Sequence, residues 1–250
     1  MSNILFITGC NGQLGRAISK KYKENGWLVA GMDVTQHDDI EHLSIAVKGS
    51  VLSRSNWESL FDYGYKQIRN DSRICLINNA GIAKFNPPEA RSIEEFDEVM
   101  RINLFGPIAG MTEFKKFIDH AIKFQPGIKS SIINIASIYG HQSPNESIYT
   151  DTSRNSSEIY GASKAGLVHL TKYFAVRYAS IPIQVNAISP GGVLNSQLQG
   201  DDFIRRYSNL VPQKRMCYEK EVADLSYAMI DFPSYLTGQC ILLDGGMSSW

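Results

Sequence analysis

Ile4-Leu5-Phe6-Ile7-Thr8-Gly9-Cys10-Asn11-Gly12-Gln13-Leu14-Gly15 is a short apolar run that breaks into glycines at every third position and then opens a helical pattern running to about Asn25. An unbroken apolar run stopped by glycine reads as a strand buried on both faces, as in a parallel sheet. A strand that feeds a helix through such a turn points free backbone N–H groups, and the positive helix end, at any anion above it. Gly9 permits the tight turn, Gly12 lets the backbone approach a phosphate, and Gly15 lets helix and strand pack closely. The spacing G-x-x-G-x-x-G is not the G-x-G-x-x-G dinucleotide string, and for the glycines alone a ligand-free turn is the alternative.

Further apolar runs lie at Trp27–Asp33, Arg73–Asn78, Ser131–Ser137, Gln184–Ser189 and Cys240–Asp244, with a weaker one at Gly49–Leu52. Helix-length amphipathic stretches alternate with them, which predicts an α/β fold: a doubly wound parallel sheet with helices on both faces. No linker or repeat divides the chain, so residues 1–250 are expected to form one domain. The 250 residues carry 25 basic and 25 acidic side chains. That balance gives no electrostatic ground for nucleic acid or an anionic membrane as partner. Cys10, Cys75, Cys217 and Cys240 show no metal-ligand or disulfide spacing, so no metal is expected and the compartment is reducing. Without a basic n-region before Ile4 or an apolar stretch of about 18 residues, the expectation is a cytoplasmic chain. His141–Glu158 is a polar insertion, expected to be an exposed excursion, and Pro190–Pro212 an irregular loop at the carboxyl edge of the sheet, where ligands bind.

Asp33 ends the second apolar run, where a carboxylate can accept hydrogen bonds from an adenosine ribose and would repel a 2′-phosphate. No base immediately follows it, and Arg16 sits within the first helix. NAD(H) is therefore expected over NADP(H). Tyr160 and Lys164 are four apart at the start of a helical pattern reaching about Ala179, so phenol and ammonium share a face. A cation there favours the phenolate and brings an ordinary tyrosine toward useful acid–base chemistry. With 12 tyrosines in the chain, chance alone supplies nearly one such pair, so its value lies in company. Ser137 is expected to close its strand at the ligand edge, where a simple strand-end cap is the alternative. Asn79, Ala80 and Gly81 follow Asn78 at the same edge. Asn103 lies on a helix from about Ser92, a locally unfavourable place for Asn, where the alternative is a helix-bending or core amide.

Taken together, Thr8–Gly15, Asp33, Asn78–Gly81, Asn103, Ser137, Tyr160 with Lys164, Ser189-Pro190-Gly191, Thr237-Gly238-Gln239 and Asp244-Gly245-Gly246 resemble the short-chain dehydrogenase/reductase family, in its order and across nearly the whole chain. The resemblance implies a single Rossmann-type domain of about seven parallel strands, a nicotinamide cofactor, a small-molecule substrate and a homodimer or homotetramer. It implies Tyr160 as general acid/base, Lys164 as the group that lowers its pKa and holds the nicotinamide ribose, Ser137 as orienter of the substrate oxygen, and Asn103 as anchor of a relay water. It places Gly9, Asn11, Gly12, Gln13, Leu14, Gly15 and Asp33 on the cofactor, with Asn79, Ala80 and Gly81 beside the adenosine ribose and Asn79 more structural than the others. Pro190, Gly191 and Val193 would border the nicotinamide.

Three departures stand out. Gln13 occupies the place of a glycine in the compact members' T-G-x-x-x-G-x-G, and the present spacing is commoner in the extended branch that epimerises or dehydrates nucleotide sugars. Ser137 and Tyr160 are 23 positions apart, more than the usual dozen or so, because of the insertion. Ser50 stands near the place of an acidic residue that normally holds the adenine. Length and the C-terminal motifs favour the compact branch, and the insertion with Tyr160–Tyr173 and Ser189–Val193 is similar to oxidoreductases of bacterial surface-sugar and flagellin-glycan pathways. The expected substrate is then an alcohol or ketone, with a sugar or sugar phosphate in view. The alternatives are an epimerase or dehydratase, or a dinucleotide-binding regulator without turnover. Arg205, Arg206, Lys214 and Arg215 offer a phosphate or carboxylate clamp, against the alternative of a solvated basic face. His141 and Tyr149 are further candidate substrate contacts.

Overall fold

The computed structural model describes residues 3–35, 41–149 and 156–249. Among them, seven parallel strands form one sheet: β1 (Ile4–Thr8), β2 (Leu28–Asp33), β3 (Ile45–Lys48), β4 (Arg73–Asn78), β5 (Lys129–Ile135), β6 (Ile183–Pro190) and β7 (Cys240–Leu243). Their order is β3-β2-β1-β4-β5-β6-β7, so the chain reverses its direction of travel across the sheet between β1 and β4. A crevice opens at such a switch point, outside the carboxyl ends of the strands.

Both faces of the sheet are covered, which explains the unbroken apolar runs. Ile4 and Phe6 point into a core with Trp57 and Leu60 of α2 (Arg54–Gln67), Phe114 and Phe117 of α4 (Gly106–Ala121) and Phe174 of α5 (Glu158–Arg177). Leu5 and Ile7 point the other way, onto Ile18 and Tyr22 of α1 (Gln13–Glu24) and Val222 and Ala223 of α7 (Glu219–Ala228). A smaller cluster of Ile138, Ile148, Tyr207, Val211, Met216 and Met247 roofs the carboxyl edge. It draws together the described part of the polar insertion and α6 (Asp201–Leu210). Residues 150–155 of the insertion lie outside the described residues. No described helix is long and apolar enough to cross a membrane.

Several strand boundaries differ from expectation, and two of the differences bear on the site. The weak strand is Ile45–Lys48, and Gly49–Leu52 is the turn after it, closed by the Leu52 N–H on Ser50 Oγ at 3.2 Å. Only one face of this edge strand is covered, so its apolar signal is half as dense as in the central strands. The fifth strand ends at Ile135, and Ser137 instead caps a 3₁₀ turn over Ile138–Gly140, accepting from the Tyr139 N–H at 3.2 Å.

Candidate active site

A cleft of about 690 Å³ runs along the carboxyl edge of the sheet from Asp33 to Lys164 and Pro190. At one end, Gly9 adopts φ +65°, and a Cβ there would lie 2.9 Å from the Ala80 backbone. Gly15 is tighter still, since a Cβ would stand 2.0 Å from Gly9 O. Those two glycines are required by the protein itself. Gly12 is different: nothing but Gly9 O at 3.5 Å crowds it, and it caps α1 on the cleft side. Thr8 Oγ1 accepts the Asn79 and Ala80 N–H groups, while Asn79 Nδ2 donates to Thr8 O and Gly9 O, so Asn79 ties β4 to the turn.

Asp33 Oδ2 accepts the Asn11 N–H at 3.0 Å, and Oδ1 accepts from the Thr35 backbone and hydroxyl. The carboxylate is thus held at the end of β2 on the wall of the cleft, next to Val34 and Thr35. Arg16 turns away to donate to Asn11 O. Among the described residues that line the cleft, Lys164 is the one cation. Ser50 lies on the wall near the Asp33 end.

At the other end Ser137, Tyr160 and Lys164 converge with Pro190, Gly191 and Val193. Tyr160 is half-buried in the first turn of α5, whose N-cap Ser157 accepts the Tyr160 N–H. Burial raises its phenol, the neighbouring Ser137 hydroxyl pulls it back down, and the Tyr149 phenol adds a further upward push. The 23-residue separation therefore does not keep the two hydroxyls apart. Lys164 is almost fully buried; its Nζ donates to Ile135 O at 2.8 Å, and burial brings its pKa down to about 8. The same ammonium lies over the Tyr160 ring, 5.6 Å from its centre.

Asn103 is fully buried in a π-helical turn, Arg101–Phe105, that joins α3 (Ile93–Met100) to α4. Its Oδ1 accepts the Ile82 N–H at 2.8 Å, and its Nδ2 donates to Ile82 O and Ser163 Oγ. Both amide hydrogens are therefore committed, and one lone pair of Oδ1 remains for any further partner. A Cβ on Gly81 would touch both Asn103 Oδ1 and Lys164 Nζ, which puts these two groups side by side.

The insertion and the loop after β6 complete the walls. Tyr139 and Tyr149 share a hydrogen bond between their hydroxyls at 3.1 Å, and Tyr207 accepts the Gly192 N–H. His141 bonds Ser189 Oγ at 2.9 Å instead of facing the cleft. The basic cluster is spent elsewhere. Arg205 and Arg206 pair with Asp202, Lys214 donates to Asn209 O, and Arg215 makes two bonds to Glu221 and lies over the Tyr218 ring. None of the four lines the cleft. Sequence reasoning passed over Tyr139, Tyr207 and the Ile82 backbone, because each acquires its place only from packing between distant elements. Among the described residues, no group of three His, Cys, Asp or Glu side chains is placed to hold a metal ion.

A family model described as enoyl-(acyl carrier protein) reductase matches residues 10–248. An uncharacterized oxidoreductase of Schizosaccharomyces pombe is 31% identical over 98% of this chain and 90% of its own length. A post-translational flagellin modification protein A of Campylobacter coli is 26% identical over 98% of each chain. A short chain dehydrogenase from Leptospira borgpetersenii with bound NAD+ superposes with a TM-score of 0.83 at 30% identity, covering 99% of this chain and 93% of that one. The glycine turn on a parallel sheet, the cleft at its switch point and these matches agree: the chain belongs to the short-chain dehydrogenase/reductase family of oxidoreductases.

Proposed function

We propose that the chain is an NAD(H)-dependent alcohol/ketone oxidoreductase, built as one dinucleotide-binding domain, with Asn103, Ser137, Tyr160 and Lys164 as its catalytic group. The observation that carries this reading is one cleft with a ribose-accepting carboxylate, Asp33, at one end and the Ser137–Tyr160 hydroxyl pair beside a buried ammonium at the other. The cleft suits a dinucleotide: Gly9 and Gly15 hold the turn open, uncrowded Gly12 faces the phosphates, and Asp33 takes the ribose. Ala80, Gly81, Asn11, Leu14 and the backbone of Gln13, whose carboxamide is turned to Leu194, Glu219 and Asn195, line the adenosine and phosphate portion, and Pro190, Gly191 and Val193 the nicotinamide portion. The carboxylate at Asp33, with no arginine among the described residues of the cleft wall, supports NAD(H) over NADP(H). The bound NAD+ of the Leptospira relative points the same way.

A bound nicotinamide supplies the acceptor or donor of hydride. Tyr160 Oη takes the proton from a substrate hydroxyl in oxidation, or returns it to the carbonyl oxygen in reduction. Ser137 Oγ donates to that same oxygen and holds it in line. The Lys164 cation steadies the phenolate by its charge, and Asn103 fixes the Ile82 backbone and Ser163 around it. The substrate is a sugar or sugar derivative: the Tyr139 phenol on the cleft wall suits a hydroxyl-rich ring, and the flagellin-modification relative matches over 98% of each chain. The protein works in the cytoplasm as a homodimer or homotetramer.

The test offers the purified protein NAD with hexoses, deoxyhexoses, nucleotide sugars and simple secondary alcohols. NADH is expected to accumulate with at least one sugar, and Tyr160→Phe should lower kcat by about 10²–10⁴-fold. Conversion of a nucleotide sugar without net NADH, or tight NAD binding with no turnover of the whole panel, would overturn it.

A further inference from the structure

Gln13 is the first residue of α1, directly after the capping Gly12 of the glycine turn. Its carboxamide is engaged through both nitrogen and oxygen, and every partner lies across the molecule. Nε2 donates to Leu194 O at 2.6 Å and to Glu219 Oε2 at 3.1 Å. Oε1 accepts from Asn195 Nδ2 at 3.1 Å. A carboxamide can donate two hydrogens and accept at two lone pairs, so both hydrogens are committed and one lone pair of Oε1 remains. Leu194 and Asn195 belong to the loop that leaves β6, one and two residues beyond Val193 on the wall of the cleft. The loop is braced locally as well: Asn195 N–H donates to Gln199 Oε1, and Gln199 Nε2 to Val193 O.

Two loops thus meet at one side chain. One is the glycine turn proposed to hold the phosphates, the other the wall proposed to hold the nicotinamide. We infer that Gln13 is a positioning residue that latches the loop after β6 to the glycine turn and so sets the nicotinamide end of the cleft. A glycine at this place has no side chain to make that link. The inference rests on the dinucleotide reading of the cleft. It predicts a specific asymmetry, because the latch acts on the nicotinamide wall while the adenosine end is built from Asp33, Asn11 and Gly9.

Calorimetry with NADH and with ADP-ribose, which lacks the nicotinamide ring, reads that asymmetry. Gln13→Ala is expected to weaken NADH about 5–10-fold and leave ADP-ribose within about twofold, since only immobilised contacts to the ring are lost. Asn195→Ala should weaken NADH in the same sense, and the double variant should be no weaker than Gln13→Ala, because both remove one link. Equal weakening of NADH and ADP-ribose would place Gln13 on the phosphates and overturn the latch. Unchanged NADH affinity, or strictly additive losses in the double variant, would overturn it too. A wild-type protein that binds neither ligand would defeat the dinucleotide reading itself, and the latch with it.

Discussion

At the scale of single residues, Tyr160 and Lys164 are held in a state that their spacing does not convey. Tyr160 and Lys164 do face one cleft, as four-residue spacing on a helix requires. Their titration, however, follows from burial: the phenol is pushed up, and the amine is brought from 10.5 to about 8. A lysine whose folded pKa lies below its unfolded value destabilises the fold in its charged form. The full penalty is present below about pH 8 and is relieved as pH rises toward 10.5, because there the unfolded chain binds more protons than the folded one. Lys164→Met removes that penalty and also the bond to Ile135 O, and the lost bond is the same at every pH. The difference in Tm, variant minus wild type, should therefore shrink as pH is raised from 8 to 10, by the equivalent of about 2 kcal/mol. Scanning calorimetry across that range checks it, and a flat or rising difference would contradict the buried-charge account.

Among elements, the helices and central strands were legible because their signals are local. β1, the glycine turn and the start of α1 fall where the alternation of apolar run, glycine and amphipathic stretch puts them. The less legible elements are those shaped by neighbours. β3 is a half-covered edge strand, and its apolar face is too sparse to separate Ile45–Lys48 from the turn behind it. The π turn at Arg101–Phe105 is an extra residue inserted into a helix, invisible to any periodicity argument. What maintains it is Asn103, clamped to both backbone groups of Ile82. Replacing Asn103 by Leu keeps the bulk and strands that N–H and C=O, each costing about 1–3 kcal/mol when buried. We expect Asn103→Leu to lower stability by about 2–4 kcal/mol, seen in urea titration as a lower midpoint with an unchanged slope. The loss in turnover should exceed what the unfolded fraction accounts for, since Ser163 and the strip beside Lys164 lose their anchor.

For the whole molecule, the order β3-β2-β1-β4-β5-β6-β7 brings the ends of β1, β2, β4, β5 and β6 to one crevice. A ligand lying along that crevice braces five strands and α1 at once, so its binding should register in global stability. At about 100 times its Kd, NAD should stabilise the fold by roughly 2.7 kcal/mol. For a chain of this size that is a rise in Tm of about 5–10 °C. NADP at the same concentration should give a distinctly smaller rise, because Asp33 opposes a 2′-phosphate; an equal or larger rise would reverse the cofactor assignment. The sequence by itself determined the α/β architecture, the glycine turn and the family, because these depend on periodicity and motifs written in neighbouring positions. Only the tertiary structure decided which residues meet. It brought Ser137 and Tyr160 to one cleft across the insertion, spent the arginines on Asp202 and Glu221, drew Lys164 to Ile135 O, and gave Gln13 partners beyond β6. Such pairings are settled by competition among buried polar groups for partners once the sheet and helices have packed, and no local stretch of sequence holds that information.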